Sequence, residues 1–113
     1  MLDADGIRHA SPIALIALKA KAYLNLLSDK ARGLHVNTRN IKKHRSDVMK
    51  SMVIVEDGNV SAPSSVVQCV REFVAAIRSD YDNLAPALAK ALDAEPVLVG
   101  QLLEQLEILF VEE

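Results

Sequence analysis

The sequence predicts an all-α protein, a compact bundle of about five helices forming one domain over residues 1–113. Three observations predict it. Half of the residues are hydrophobic, yet only 4% are aromatic and none is Trp, so the core has to be aliphatic. Gly and Pro number four each, too few for the turns of a β-sandwich or barrel. Apolar residues recur at helical spacing, and capping residues stand where helices should begin and end.

The first helix is expected at about 12–32. Ser11-Pro12 supplies an N-cap followed by Pro at the first helical position. Gly33 suits the left-handed residue just past a helix end. Placing residues at 100° per position gives a wide apolar arc of Ile13, Ile16, Ala20, Tyr23, Leu24, Leu26 and Leu27. The opposite face carries Lys21, Asn25, Ser28, Asp29 and Arg32. Lys19 points into the middle of the apolar arc. An unpaired ammonium there is costly to desolvate. Three resolutions stay open: the side chain snorkels, the arc borders a polar cleft, or a carboxylate or phosphate meets it.

The second helix is expected at about 38–55, with Thr38 as N-cap. Its apolar stripe is narrow, made of Ile41, Val48, Met52 and Val55. Arg39, Lys42, Lys43, Arg45, Lys50 and His44 give it a basic face. Glu56-Asp57-Gly58-Asn59 is a turn signal. An alternative reading puts Val53–Val55 and Val60 in a small hairpin around Asp57-Gly58. The third helix is expected at about 63–79, with Val66, Cys69, Val70, Phe73, Val74 and Ile77 inward. A short fourth helix follows at about 83–92. The fifth begins at Pro96 after Glu95 and is expected at about 96–111, burying Val99, Leu102, Leu103, Leu106, Leu109 and Phe110.

The net charge of −2 hides an asymmetry: residues 1–50 carry +6 and residues 51–113 carry −8. A basic half of this kind flags an acidic or phosphorylated partner. Cys69 is the only Cys, so it forms no internal disulfide and completes no thiolate zinc site. It reads as a small core hydrophobe in a reducing compartment, which makes a cytoplasmic protein the expectation. The run Ile13–Leu18 is too short to span a bilayer and follows acidic residues, unlike a signal peptide, so no membrane partner is expected.

Several chemistries lack their motifs. The chain has no G-x-x-x-x-G-K-[ST], no G-x-G-x-x-G, no H-E-x-x-H and no G-x-S-x-G. His9, His35 and His44 have no metal-site spacing, and each reads as a surface or hydrogen-bonding residue. Nucleic-acid binding through the second helix is a minor alternative, because the segment lacks interleaved aromatics and the acidic half repels a long phosphate backbone.

One constellation remains: Lys19 and Lys21 on the first helix, with Lys42-Lys43-His44-Arg45-x-Asp47 on the second. The short connection Gly33–Asn37 makes the first two helices antiparallel neighbours. Lys19, early in the first, should then meet a residue late in the second, and Asp47 fits. Lysine and arginine beside one carboxylate suit a nucleoside triphosphate: the cations neutralise phosphate, and the carboxylate helps hold Mg²⁺ or orients a nucleophile.

The residues that carry a family resemblance are Asp5-Gly6-Ile7, then Ile13-x-Leu15-Ile16-x-Leu18-Lys19-Ala20-Lys21-Ala22-Tyr23-Leu24-Asn25-Leu26, then Asn40-Ile41-Lys42-Lys43-His44-Arg45-Ser46-Asp47-Val48. Together they resemble a late segment of the abortive-infection (AbiEii-type) nucleotidyltransferase toxins, over about residues 5–52. The resemblance implies the helical C-terminal portion of an enzyme related to DNA polymerase β, in a toxin–antitoxin setting. It implies that Lys19, Lys43 and Arg45 bind the phosphates of an NTP and that Asp47 assists catalysis. The family's glycine-rich motif and metal-binding D-x-D precede this segment on a sheet. Here Asp3-Ala4-Asp5 has that spacing without a sheet. Residues 1–10 then read as a remnant of a preceding domain. The chain alone is expected to hold no cofactor, and to gain NTP and Mg²⁺ only when a missing catalytic domain or partner protein completes the site. The rival expectation is a small helical interaction module, a homodimer or an antitoxin-type partner binder, with no nucleotide site.

Overall fold

The computed structural model describes residues 12–55 and 59–112. The expected N-cap Ser11, the Asp3-Ala4-Asp5 pair, His9 and the Asp57-Gly58 turn lie outside the described residues. Among the described residues the fold is an all-α bundle of five helices: α1 (Pro12–Ala31), α2 (Thr38–Ile54), α3 (Ser64–Ser79), α4 (Tyr81–Leu92) and α5 (Pro96–Leu109). Two three-residue strands, β1 (Val60–Ala62) and β2 (Phe110–Glu112), complete it. No described helix is long and apolar enough to cross a membrane.

Helix α1 ends as Gly33 predicts. Gly33 sits at φ 82°, Leu34 N–H donates to the Asp29 carbonyl at 3.0 Å, and Gly33 N–H donates to Lys30 at 3.1 Å. This is a Schellman closure, which satisfies two otherwise orphaned carbonyls. Nothing lies within 4 Å of where a Cβ would stand on Gly33, so conformation alone demands glycine there. Gly33→Ala is expected to cost about 1 kcal/mol and Gly33→Asn less, since Asn tolerates the left-handed region. Urea unfolding of the two variants checks the order, and an Ala variant as stable as the parent refutes it.

Helix α4 ends in the same closure without glycine. Asp93 takes φ 56°, and Ala94 N–H reaches the Ala89 carbonyl at 2.9 Å. Helix α2 is capped one residue earlier than expected. Asn37, not Thr38, is its N-cap, and its Oδ1 accepts from Arg39 N–H at 2.8 Å.

The core forms where α1 and α2 pack antiparallel and α3 packs against α1. Phe73, Ile77, Val70 and Val74 of α3 are fully buried, with Ile16 and Ala20 of α1 and Val48 and Met49 of α2. Tyr23 meets Phe73 edge-on, with ring centroids 5.2 Å apart. Helix α5 buries Val99, Leu102, Leu103, Leu106 and Leu109, and Phe110 follows them inward, as its spacing predicts. The inward stripe of α3 is shifted: Val67 is buried, whereas Val66 and Cys69 lie at the edge of the core. Burial, then the Glu72 carboxylate, pushes the Cys69 thiol up, which keeps it protonated.

The C-terminal segment departs from expectation. Helix α5 stops at Leu109, and Phe110–Glu112 forms a parallel ladder with Val60–Ala62, pairing Val60 with Phe110 and Ala62 with Glu112. The Asn59 side-chain amide donates to the Ile108 carbonyl at 2.7 Å, satisfying one of the helix's last carbonyls. Val60 is thus a strand residue, but not in the hairpin with Val53–Val55, because Val53 and Ile54 remain helical. Its partner lies fifty residues away in sequence.

Candidate functional site

The basic helix α2 presents its charged residues on two separate faces, because residues two apart on a helix diverge by about 160°. The four residues expected to share one site, Lys19, Lys43, Arg45 and Asp47, are therefore divided.

One group lies along the outer α1–α2 seam. Lys19 Nζ stands 3.4 Å from Asp47 Oδ2, and both side chains are 28% exposed. The anomalous lysine of the apolar arc is met by a carboxylate from the antiparallel helix, one of its three possible resolutions. His44 belongs to this group. Its Nδ1 is buried without a hydrogen-bond partner. Burial, then the charges of Lys19 and Lys43 against that of Asp47, hold its pKa below the usual histidine value. Lys43 itself is exposed.

The sign of the pH effect follows. A histidine with a lowered native pKa contributes stability that is full above its unfolded pKa of 6.5 and is lost as pH falls through the native value. Lys19→Met is expected to raise the His44 pKa and Asp47→Asn to lower it further. Removing this partly exposed ion pair should change stability by less than about 1 kcal/mol. An NMR titration of the His44 ring proton checks both directions, and a Lys19→Met variant with a still lower pKa refutes the assignment.

The second group is built around Arg45. Ile41, Arg45, Val48, Met49 and Met52 are all buried on α2, so Arg45 occupies a core-facing position in the helix's own stripe. It is 9% exposed. Its Nε is buried with no hydrogen-bond partner, and no described carboxylate lies within ion-pairing distance of its guanidinium. A desolvated guanidinium nitrogen without a partner is expensive, and Arg45 lines a cavity of about 330 Å³.

The cavity lies where α1, α2, α3 and α4 converge. Tyr23, Leu27, Ile41, Leu84 and the small Ala76 give it an apolar floor. Arg45, Lys42 and Lys30 supply positive charge from α1 and α2. Thr38, the first residue of α2, brings that helix's positive end to the rim. Ser79 and Asp80, at the α3–α4 corner, face them. Asp80 Oδ1 accepts from Asn83 Nδ2 at 2.7 Å, and Ser79 Oγ donates to the Ala76 carbonyl at 2.7 Å.

Sequence reasoning placed Arg45 beside Asp47. It grouped Lys42 with Arg45 but missed Lys30, Ser79 and Asp80 as neighbours of Arg45. One signal was present: at 100° per residue Arg45 lies beside the Ile41–Val48–Met52 stripe, about 20° from Met52, a charge against an apolar face like that of Lys19.

The fold and site thus define an all-α bundle with a cationic cavity between its helices. No family model, curated protein or solved structure matches the chain.

Proposed function

We propose that this chain is a phosphate-binding helical domain, the helical share of a nucleotidyltransferase-like protein, with the phosphate seated at Arg45. One observation carries the reading: an arginine only 9% exposed, whose buried Nε has no protein partner, opening onto a cavity. Arginine binds phosphate through a planar fork of donors, and Lys30 and Lys42 add charge at the same cavity. The cavity volume is at the small end of ligand sites.

The family resemblance assigned phosphate contact to Lys19 and Lys43 and a catalytic role to Asp47. The Lys19–Asp47 pair neutralises itself, so in this reading it locks α1 to α2, and the phosphate site moves to Arg45, Lys42 and Lys30. Magnesium does not fit this cavity. Among the described residues no three His, Cys, Asp or Glu side chains converge to hold a metal. Asp80 is the cavity's one carboxylate. In this reading metal-binding carboxylates come from another segment, and the chain alone performs no transfer step.

The test is an amide NMR titration with inorganic phosphate and with ATP. Shifts should centre on Lys30, Thr38, Lys42 and Arg45 rather than on Lys19 and Asp47. Absence of any saturable shift at the Arg45 cavity overturns the reading.

A second reading, an interaction module that forms a homodimer, is favoured by exposed aliphatic side chains. Leu18, Val53 and Ile54 of α1 and α2 are 61%, 54% and 68% exposed, and Ile13, Leu24, Leu26 and Leu27 are only partly covered. It predicts a concentration-dependent rise in mass by light scattering that Leu18→Glu abolishes. A monomer at high concentration removes it.

A further inference from the structure

The walls of the Arg45 cavity differ in hydrogen-bonding sense. The α1–α2 side is dominated by donors: a guanidinium and two ammonium groups, none of which can accept, beside the hydroxyls of Thr38 and Tyr23. The α3–α4 corner offers acceptors. Ser79 has committed its hydroxyl proton to the Ala76 carbonyl, which leaves lone pairs on Oγ. Asp80 has one carboxylate oxygen engaged by Asn83 and makes no ion pair with the lysines or arginine across the cavity.

A simple anion satisfies the first wall and leaves the second facing negative charge. A bare phosphate near Asp80 also meets repulsion. A ligand that answers both walls carries acceptors at one end and donors at the other. The floor of Tyr23, Leu27 and Leu84 suits a short carbon skeleton between them.

We propose that the cavity recognises a phosphate monoester whose carbon skeleton bears hydroxyl groups, with the phosphate on Arg45, Lys42 and Lys30 and the hydroxyls donating to Asp80 and Ser79. The inference rests on the phosphate reading above and adds the identity of the attached group. The same chemistry is found in a free sugar phosphate and in the ribose phosphate of a nucleotide.

The test measures binding of methyl phosphate, ribose 5-phosphate and AMP to the full chain by calorimetry. Ribose 5-phosphate should bind at least about tenfold tighter than methyl phosphate, the discrimination expected of a site whose acceptors are left unpaired by the smaller ligand. Asp80→Ala should collapse that ratio while methyl phosphate still binds, and Ser79→Ala should reduce it. Both residues are exposed, so these variants are expected to fold, which a circular dichroism melt confirms. AMP binding as tightly as ribose 5-phosphate, or tighter, assigns a nucleotide. Exclusion of AMP assigns a free sugar phosphate, and either outcome upholds the shared chemistry. Equal affinity for methyl phosphate and ribose 5-phosphate overturns the inference but leaves the phosphate site standing. A ratio unchanged in Asp80→Ala overturns it too. Failure of all three ligands to bind overturns the phosphate reading itself.

Discussion

Arg45→Met is expected to make the ligand-free chain more stable, by about 1–2 kcal/mol, and to abolish its response to phosphate. The Nε of Arg45 is desolvated without a partner. A buried polar group left in that state costs about 1–3 kcal/mol. Methionine is flexible enough to fill the space beside Ile41, Met49 and Tyr23 without a donor to satisfy. For a domain near this size each kcal/mol moves the melting temperature by roughly 4–8 °C. The parent chain should gain stability on adding phosphate, because a ligand that binds only the folded state stabilises it by mass action. The variant should gain none. Removing a hydrogen bond to a charged group costs about 1.5–3 kcal/mol of binding, or roughly 10–100-fold in affinity. Thermal melts of both proteins, with and without phosphate, measure the two signs together. A variant less stable than the parent in the absence of ligand shows that the guanidinium has a structural partner, and the binding proposal then loses its main support.

Phe73→Ala is expected to have the largest effect on folding, about 3–5 kcal/mol of lost stability. Phe73 is fully buried and is the bulkiest of the fully buried side chains. Its ring meets Tyr23 at an interplanar angle of 70°, an edge-to-face contact worth about 0.5–1.5 kcal/mol beyond area burial. Domains of this kind have roughly 5–15 kcal/mol in all, so the variant should be close to unfolding. Tyr23 lines the Arg45 cavity, and the loss should therefore also loosen that wall and weaken phosphate binding. Phe73→Leu, which keeps most of the volume, should cost much less. Urea unfolding measures both, with the midpoint falling and the slope unchanged. A cost below about 1 kcal/mol for the alanine variant contradicts the packing described.

The helices were legible because their signals are local. Pro12, Gly33 and Pro96 mark ends through backbone preferences that neighbours do not alter. The aliphatic stripe of α5 coincides with its buried face because a 3.6-residue period alone defines it. Boundaries without such markers shifted. Helix α4 begins at Tyr81 rather than Asn83, and its end relies on Asp93 in a conformation for which glycine is the usual sign. The β1–β2 ladder was not legible at all. Its strands are three residues each and separated by three helices, so no local pattern predicts their pairing.

The site divides in the same way. The Lys19–Asp47 pair was readable, since a short connection makes α1 and α2 antiparallel and sets which residues lie opposite each other. The surroundings of Arg45 were not. Ser79 and Asp80 reach its cavity only because α3 and α4 turn at that corner.

The sequence by itself determined an all-α chain, most of its helix ends, its aliphatic core faces and the concentration of positive charge in α1 and α2. These follow from periodicity and backbone preference, which act over a few residues. Only the tertiary structure decided which of those charges are neutralised and which are left open. Asp47 reaches Lys19 across the α1–α2 seam, whereas packing turns Arg45 inward to a cavity without a carboxylate in pairing range. Whether a buried charge is matched depends on side chains from distant segments, and the fold alone brings those together.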